Sequence, residues 1–429
     1  MKKYLLPAVA FLALAAFAVW LQRPTPPPAS DPALPMSDSD LPAFGAYISD
    51  VHLLVPDQNA FALDLYQKLR TREGNLFFSP YSLSSALAMV YAGARSDTAS
   101  EMRKALRLTL QDDALHAAYA DQTRLANAPG KPYALSVANA LWGRAGYAFE
   151  ESYLALLGKS FGASLTPLDF KDPQGSSDKV NAWVAARTND KIKSIVSPAM
   201  FAGALRLVLT NAVYFKGNWL DEFDKSATRD EPFFFGGGQK SVPLMNRKGD
   251  YRYAEAPELQ VLGMPYKGKE LSMVVLLPKA KDGLPALEAA LTKEKLDAWV
   301  ASLSEGEVVV TFPKFKLETD YSLTDTLKAM GMPLAFTRCG LGAPCADFSG
   351  IIDPAKDQLS IDVVLHKAFV EVNEEGTEAA AATAVGMVGA ASMPPPVPEF
   401  RADHPFLFLI RDDRSGSILF LGRFLKPGA

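Results

Sequence analysis

The stretch VNEEGTEAAAATAVGMVGAASM, residues 372–393, decides how the rest of the sequence is interpreted. A strand-like run, LSIDVVLHKAFVEV, leads into it from Leu359, and the proline-rich PPPVP follows it. Between these flanks, small residues replace the alternation of large apolar and polar residues. No proline lies between Gly376 and Met393, so every backbone N–H there is able to join a β-ladder.

As an added strand, this stretch would present two different faces, because side chains alternate at period two. One face is small, β-branched or apolar throughout and suits burial; it consists of Thr377, Ala379, Ala381, Thr383, Val385 and Met387. The opposite face carries the only charge, Glu378, and then Ala380, Ala382, Ala384 and Gly386. The composition therefore suits a loop that later becomes a buried strand.

The alternative from the pattern alone is an alanine-rich helix. Alanine has the highest helix propensity, and Glu374, Glu375 and Glu378 suit a first helical turn. Thr383, Val385 and two glycines weaken the second half of such a helix. Both interpretations stay open at this point.

Composition places the chain among ordinary globular proteins. It has 429 residues, of which 48% are hydrophobic and 21% charged, so a large core is available. The net charge of −4 and the lack of a basic cluster argue against a nucleic-acid partner. Strand and helix patterns are mixed without regular βαβ alternation, which favours the α+β class. They include a helix starting at Pro80, a helix over 180–192 and strands over 205–219 and 359–372.

Three stretches resemble serpin motifs and occur in the expected order. They are NLFFSPYSLSSALAMVYAG from Asn75, LRLVLTNAVYFKGNW from Leu205, and EEGTEAAAAT from Glu374 with FRADHPFLFLIRD after it. The last pair is similar to the reactive-loop hinge and the strand that follows it. The resemblance implies a serpin fold with a large central mixed β-sheet, two smaller sheets, eight or nine helices and an exposed C-terminal reactive loop.

The resemblance also implies a function, that of a protease inhibitor and not an enzyme. A serpin traps its target serine protease as a covalent acyl-enzyme by inserting the cleaved loop into the central sheet. The hinge implied here consists of Glu374, Glu375, Gly376, Thr377, Glu378, Ala379, Ala380, Ala381, Ala382 and Thr383. Because the insertable face of this hinge carries no charged or bulky residue, we expect an inhibitory, monomeric member that needs no cofactor. The alternative is a non-inhibitory serpin-fold protein that serves as a protease substrate or a binding module.

Counting along the loop places the reactive bond. In serpins the acyl-donating residue is usually the fifteenth when the hinge glycine is the first, which gives the bond Ala390–Ala391. Alanine suits the small or shallow primary pocket of an elastase-like or subtilisin-like protease. The bond Ala391–Ser392 is the second choice, and Met393 the third.

Five residues outside the loop are implied to control the opening of the sheet: Ser79, Ser82, Asn211, Trp219 and His366. Without the resemblance, the two serines would be interpreted as helix N-caps, Trp219 as ordinary core, and His366 as a hydrogen-bonded core histidine.

The N-terminal sequence is typical of a targeting segment. Lys2 and Lys3 precede an apolar run, so residues 1–21 are predicted to be a signal peptide or a membrane anchor. Residues 22–42 are rich in Pro, Ser and Asp and predict a linker, which leaves one serpin domain over 43–429. We therefore expect a location outside the cytoplasm, secreted or periplasmic, with membrane contact only through an uncleaved anchor. The short Lys-Lys start is compatible with a bacterial protein.

The cysteines, the histidines and the absence of a hydrolase motif bear on three further possibilities: a disulfide, a metal site and a serine hydrolase. Cys339 and Cys345 are close enough in sequence for a local disulfide, with two free thiols as the alternative. The four histidines are scattered without ligand spacing, so no metal site is predicted. A serine hydrolase is disfavoured because no G-x-S-x-G sequence occurs.

Overall fold

A computed structural model describes residues 49–203, 205–340, 344–377 and 396–428, and all strands of this described part lie in two β-sheets. The described part contains nine α-helices and fifteen strands, numbered here in chain order. The helices are α1 Ser49–Leu69, α2 Pro80–Tyr91, α3 Ser96–Ala105, α4 Asp112–Asn127, α5 Glu151–Phe161, α6 Pro173–Arg187, α7 Leu284–Ala290, α8 Lys293–Ala301 and α9 Thr324–Ala329. The predicted signal or anchor (1–21) and linker (22–42) lie outside the described residues, so these boundaries stay predictions.

The central sheet has six strands. They are β2 Tyr133–Arg144, β3 Leu165–Leu168, β4 Leu207–Asn218, β10 Phe315–Ser322, β11 Val363–Val372 and the short β12 Gly376–Thr377. The order is β10-β11-β4-β2-β3, and β12 pairs with β4. Neighbours β11 and β4 are parallel, whereas β10–β11 and β2–β4 are antiparallel, so the sheet is mixed as predicted.

The remaining nine strands are joined through one long strand. They are β1 Leu76–Phe78, β5 Arg229–Phe235, β6 Gly238–Glu255, β7 Leu259–Pro265, β8 Leu271–Pro278, β9 Ser304–Pro313, β13 Glu399–Arg401, β14 Phe406–Asp412 and β15 Ile418–Phe424. The first part of β6 pairs with β5 and its last part with β7, while β9 runs along its second half. The two smaller predicted sheets therefore share β6 and form one continuous hydrogen-bonded system.

The two faces of the central sheet are covered differently. On the inner face, Val213 and Phe215 of β4 pack with residues of the nine-stranded sheet such as Phe408 and Phe420. Helix α2 also lies beneath this face, and all twelve of its residues are buried. On the outer face, helix α6 packs through Val180 and Val184. Both sides of the central strands are thus buried, which explains their nearly continuous apolar sequences.

Helix α2 begins where the sequence predicts. Ser79 is in an extended conformation, its hydroxyl accepts a hydrogen bond from the Ser82 N–H, and Pro80 is the first helical residue. Proline is favoured there because the first N–H of a helix has no helical partner. Within the described residues, no helix is both long enough and apolar enough to cross a membrane.

Candidate functional site

The boundary between β4 and β11, called here the seam, is the most unusual part of the central sheet. Along its length the two parallel strands are paired from Val208 opposite Val363 to Tyr214 opposite Phe369. The chain then reverses, and Gly376 and Thr377 pair with β4 in the antiparallel direction. A bridge between Asn373 and Gly376 closes this reversal around two residues. Gly376 and Thr377, two of the predicted hinge residues, therefore form a short strand on β4.

Gly376 is required at the reversal for two reasons. Its φ of +138° is rarely adopted by residues with a side chain. A Cβ atom there would also lie 2.3 Å from the Gly217 carbonyl oxygen and 2.6 Å from the Asn218 Cα. Only glycine lets the chain turn this close to β4.

Trp219 holds the turn against the end of β4. Its backbone N–H donates to the Glu375 carbonyl at 3.0 Å, and its indole N–H donates to the Asn373 carbonyl at 3.0 Å. The indole is buried and stacks on Tyr266, with ring centroids 4.7 Å apart. The core interpretation of Trp219 is therefore correct as far as burial goes, and the same ring also fixes the hinge.

Glu374 secures the turn from the other side. Its carboxylate is buried, accepts hydrogen bonds from Lys314 at 3.0 Å and Thr228 at 2.8 Å, and forms an ion pair with Lys314. Burial alone would raise the pKa of this carboxyl, but the bonds from Lys314 and Thr228 outweigh it and lower the pKa below its usual value. Glu375 pairs with Lys225 at the exposed edge.

Below the hinge, a polar cluster crosses the seam. His366 of β11 contacts Asn211 of β4 through Nδ1, at 2.5 Å from Oδ1. Its Nε2 accepts a hydrogen bond from the Ser79 N–H at 3.1 Å, so the ring proton is on Nδ1. Burial lowers the pKa of His366 to about 3, so the ring is neutral. The imidazole is therefore a bridge between the two strands and the start of α2.

Of the two serines, only Ser79 is the N-cap of α2; Ser82 lies inside the helix and donates its N–H to the Ser79 hydroxyl. The control of sheet opening by these serines stays a prediction. Ser79 caps α2 and donates through its hydroxyl to the Leu419 carbonyl at 2.7 Å. Ser82 contacts the Asn211 amide through its hydroxyl, and Asn139 of β2 contacts the same amide. The structure thus brings Ser79, Ser82, Asn211 and His366 together. Trp219 is not part of this cluster; it directly follows the last residue of β4, next to the hinge turn.

Sequence reasoning missed Asn139, Lys314, Thr228 and Tyr266. Asn139 had a usable signal, because it is a lone amide in the apolar strand YALSVANALW and lies directly opposite Asn211. Lys314 lies 60 positions and Thr228 146 positions before Glu374 in the sequence. No local sequence pattern can therefore predict these contacts.

A mixed-charge cavity of about 340 Å³ opens beside the hinge turn. Its charged lining consists of three lysines and three glutamates: Lys225, Lys314, Lys316, Glu371, Glu374 and Glu375. Because two of these glutamates are already paired with lysines, the cavity has no strong preference for a ligand of either charge.

Other predicted site residues fall outside the described part of the chain. These are the hinge from Glu378 to Thr383 and the reactive-bond residues Ala390 and Ala391; of Thr377 only the backbone is described. Cys339 and Cys345 form a disulfide with a Cα–Cα distance of 4.8 Å. Among the described residues, no group of His, Cys, Asp and Glu is arranged to hold a metal ion.

Comparison with known proteins gives consistent matches over the described fold. A family model described as Serpin (serine protease inhibitor) matches residues 56–427. Leukocyte elastase inhibitor of the horse (Equus caballus) is 43% identical over 379 residues, covering 86% of this chain and 97% of the relative.

Two solved structures extend the comparison. Serpin48 of the insect Tenebrio molitor superposes with a TM-score of 0.77 at 30% identity, over 87% of this chain and 98% of that chain. Human thyroxine-binding globulin superposes with a TM-score of 0.80 at 27% identity, over 89% of this chain and 100% of that chain. The α+β fold expected from the sequence is confirmed by these matches.

Proposed function

The chain belongs to the serpin family, and we propose that it inhibits elastase-like or subtilisin-like serine proteases as a suicide substrate. Members of this family are protease inhibitors and not enzymes, and the horse relative carries an inhibitor's name. Beyond family membership, we propose the class of target protease, the position of the reactive bond and the trapping step.

The observation that carries the proposal is the register of the first inserted residues. Gly376 opposite Asn218 fixes the register of a growing strand against β4, and the Asn373–Gly376 bridge fixes it against β11. Continued along both strands, these registers place Ala380 between Tyr214 and Phe369, which are partners across the closed seam. The sheet therefore has to widen to accept the loop but does not have to slide.

The same register assigns the faces of the inserted strand. Ala379 and Ala381 fall opposite Phe215 and Val213, whose side chains point into the inner core. Glu378 falls opposite Lys216, on the other face of β4. The sequence thus presents small residues where space is limited and its single charge where a lysine is available.

Insertion has a defined local cost. Thr383 would enter the row that holds Asn211 and His366, so their direct contact has to break. The inserted strand replaces one ladder across the seam by two ladders, one on each side. The gain in backbone pairing and buried surface exceeds the loss, so the uncleaved protein is held by a barrier and its stability is kinetic.

The covalent chemistry uses the protease's own nucleophile. The serine hydroxyl of the protease attacks the Ala390 carbonyl carbon, the Ala390–Ala391 bond breaks, and the Ala391 nitrogen takes up a proton as the new N-terminus. Ala390 is left as an ester on the protease. Insertion of residues 378 onwards then moves the ester, with its protease, toward the opposite end of the sheet before water hydrolyses it.

Two features support the remaining parts of the proposal. The disulfide fits an oxidising compartment outside the cytoplasm, as the predicted export signal does. The residues at the proposed bond are small, and one relative is named as an elastase inhibitor. Both observations favour a target protease with a small primary pocket. We propose a monomer that acts outside the cytoplasm, secreted, periplasmic or held by an uncleaved anchor.

A second candidate function is binding without inhibition. The globulin among the structural neighbours is named for binding thyroxine, so this fold also carries a small-molecule carrier. Under this alternative, proteases would cleave the loop and leave as free enzymes. The register at Gly376 and the small hinge residues favour inhibition.

The test is incubation of the purified protein with pancreatic elastase and with subtilisin, followed by denaturing gels and intact-mass analysis. A covalent complex and a fragment starting at Ala391 are expected. Protease with its active serine blocked is the control and should give neither product. Cleavage at that bond without complex by these and other serine proteases would favour the second candidate, and no cleavage between residues 376 and 394 would overturn the reactive-loop assignment.

A further inference from the structure

His404 lies in the turn that joins β13 to β14, and its side chain is buried. Its Nδ1 lies 2.8 Å from Oδ1 of Asp403, and its Nε2 lies 2.6 Å from the carbonyl oxygen of Pro278. Pro278 is the last residue of β8, the strand that pairs with β14. The ring therefore connects the turn before β14 to the end of the neighbouring strand.

Both oxygens that contact the ring accept hydrogen bonds and have no proton to donate. This holds for the Pro278 carbonyl and for an ionised carboxylate. A neutral imidazole has a single N–H, so one of the two contacts would set a nitrogen lone pair against an oxygen lone pair. The imidazolium carries a proton on each nitrogen and satisfies both contacts. His366 differs, because one of its nitrogens accepts the Ser79 N–H and the ring needs only one proton.

The carboxylate beside the ring is held in its ionised form. Burial alone would raise the pKa of Asp403, but the hydrogen bond and charge of His404, the charge of Lys281 and the hydrogen bond of Arg401 lower it below its usual value. The Arg401 Nε lies 3.2 Å from Asp403 Oδ2, and its guanidinium also pairs with Glu231 of β5. The charged groups described around the ring are thus two carboxylates and two cations, so a proton on the ring is offset most directly by Asp403.

We propose that His404 is an imidazolium at neutral pH and that its ion pair with Asp403 makes the attachment of the β13–β14 turn sensitive to alkaline pH. The same turn also holds β5, because the Phe234 N–H donates to the Asp403 carbonyl at 2.8 Å. Hydrogen bonds between charged partners are roughly twice as strong as those between neutral ones. Loss of the ring proton removes the ion pair and one of the two hydrogen bonds of the ring together.

The sign of the pH dependence follows from the release of this proton. In an opened or unfolded chain a histidine has a pKa of about 6.5, so above that pH opening releases the proton that the folded ring holds. Opening becomes more favourable as the pH rises, by up to about tenfold for each pH unit, until the folded ring also loses its proton. Below about pH 6.5 both states are protonated and His404 contributes no dependence. Buried neutral His366 acts in the opposite direction, because it disfavours folding at low pH.

The protonation of the ring is tested directly by ¹⁵N NMR of the full chain with labelled histidines at pH 7.5. The chain has four histidines, so the ring signals are few, and His404→Gln assigns the one of interest. We expect protons on both nitrogens of His404 and on one nitrogen of His366, which serves as the internal control. If His404→Gln does not fold, Asp403→Asn assigns the signal by moving it toward the neutral form. A single ring proton on His404 would overturn the proposal.

The effect on the turn is tested by hydrogen exchange of the Phe234 amide, corrected for the intrinsic exchange rate. Its protection should fall roughly tenfold or more between pH 7 and pH 9 in the wild type, and much less in Asp403→Asn. Asp353→Asn is the matched control and should respond like the wild type, because the described contacts of Asp353 are local to its own turn. Unchanged protection in the wild type, or an equal loss in Asp403→Asn, would overturn the pH-sensitive attachment. No protease is present in either measurement, so the outcome does not depend on the proposed function.

Discussion

His366 on β11 and Asn211 on β4 contact each other directly across the seam, with Nδ1 and Oδ1 2.5 Å apart. Both residues are fully buried, and Ser79 holds the other ring nitrogen. The His366 ring therefore joins both strands of the seam to the start of helix α2.

Replacement of His366 by alanine should lower the barrier to seam opening. The variant leaves the Asn211 oxygen and the Ser79 N–H without partners, at a cost of roughly 2–3 kcal/mol. We expect a lower melting temperature of the uncleaved protein and a several-fold shorter lifetime of the monomer on mild heating, followed by native gels. His52→Ala, at an exposed position, is the control. Unchanged melting and lifetime would contradict the bridging role of His366.

The same histidine predicts a dependence of stability on pH. Its pKa is lowered to about 3 in the folded protein by burial, whereas an unfolded chain has a histidine pKa of about 6.5. Above pH 6.5 the ring is neutral in both states and contributes no dependence. Between pH 6.5 and 3 only the unfolded chain binds the proton, so stability falls as the pH falls, by about 2 kcal/mol at pH 5.

A difference measurement isolates this contribution. Urea unfolding of the wild type and of His366→Gln is compared at pH 7.5 and pH 5, because other titrating groups affect both proteins alike. The stability of the wild type relative to the variant should be lower at pH 5. A difference that does not change with pH would mean that the buried histidine does not titrate as assigned.

Thr377→Arg tests the face assignment of the inserted strand. The arginine would enter the inner face, where burying an unpaired charge costs several kcal/mol and slows insertion relative to hydrolysis of the ester. We expect the yield of covalent complex with elastase to fall at least about tenfold while cleavage of the loop continues. Glu378→Gln, one residue further on the opposite face, is the control and should keep most of the yield, because it introduces no cation opposite Lys216. Equal yields from the two variants would contradict the register.

Lys314→Met should loosen the hinge turn. It leaves the buried Glu374 carboxylate with Thr228 as its remaining side-chain donor among the described contacts, which costs about 1–3 kcal/mol. The expected result is a lower melting temperature of the uncleaved protein. Lys225→Met is the control, because the Lys225–Glu375 pair involves a lysine side chain that is 61% exposed and should matter little. A larger effect from Lys225→Met would argue against Glu374 as the anchor.

Ala390→Arg tests the position of the reactive bond. A trypsin-like primary pocket selects a cationic residue, so this variant should form a covalent complex with trypsin and lose most of its complex with elastase. Ala391→Arg is the matched variant one residue later. If Ala391→Arg and not Ala390→Arg creates the trypsin complex, the bond is Ala391–Ser392.

The strands of the site were predictable because their apolar runs are long and continuous. The strand expected over 205–219 occupies Leu207–Asn218, and the end of the run 359–372 forms Val363–Val372. The hinge residues Gly376 and Thr377 lie next to β4, as an insertable loop requires. The assignment of residues 372–393 as an insertable loop depended on the family resemblance, because the sequence pattern alone left an alanine-rich helix open.

Helix boundaries were less predictable, because capping decided them. The helix expected over 180–192 is Pro173–Arg187, since the Asp172 side chain accepts the Gly175 N–H and starts it earlier. It ends before Asn189 and Asp190, both of which have positive φ. The polar cluster was only half predictable, because Asn139 joins Asn211 through strand register and not through proximity in sequence.

The sequence over 307–322 shows that alternation alone cannot separate two consecutive strands. A single strand fits the sequence EVVVTFPKFKLETDYS, yet β9 and β10 belong to different sheets and are separated at Lys314. The lysine at this break is the one that reaches Glu374. A local pattern cannot show that a chain changes sheets, because the partners of both strands are distant in sequence.

The seam offers a single slot, bounded by β4 on one side and by the β10–β11 pair on the other, which is held together over eight rows. Under the proposed mechanism, no second strand can enter once the chain's own loop fills this slot, and the cleaved peptide bond is not remade. Each molecule would then act on a single protease. Protection by this protein would be governed by dose: the number of proteases silenced cannot exceed the number of copies present, and capacity returns only with new synthesis.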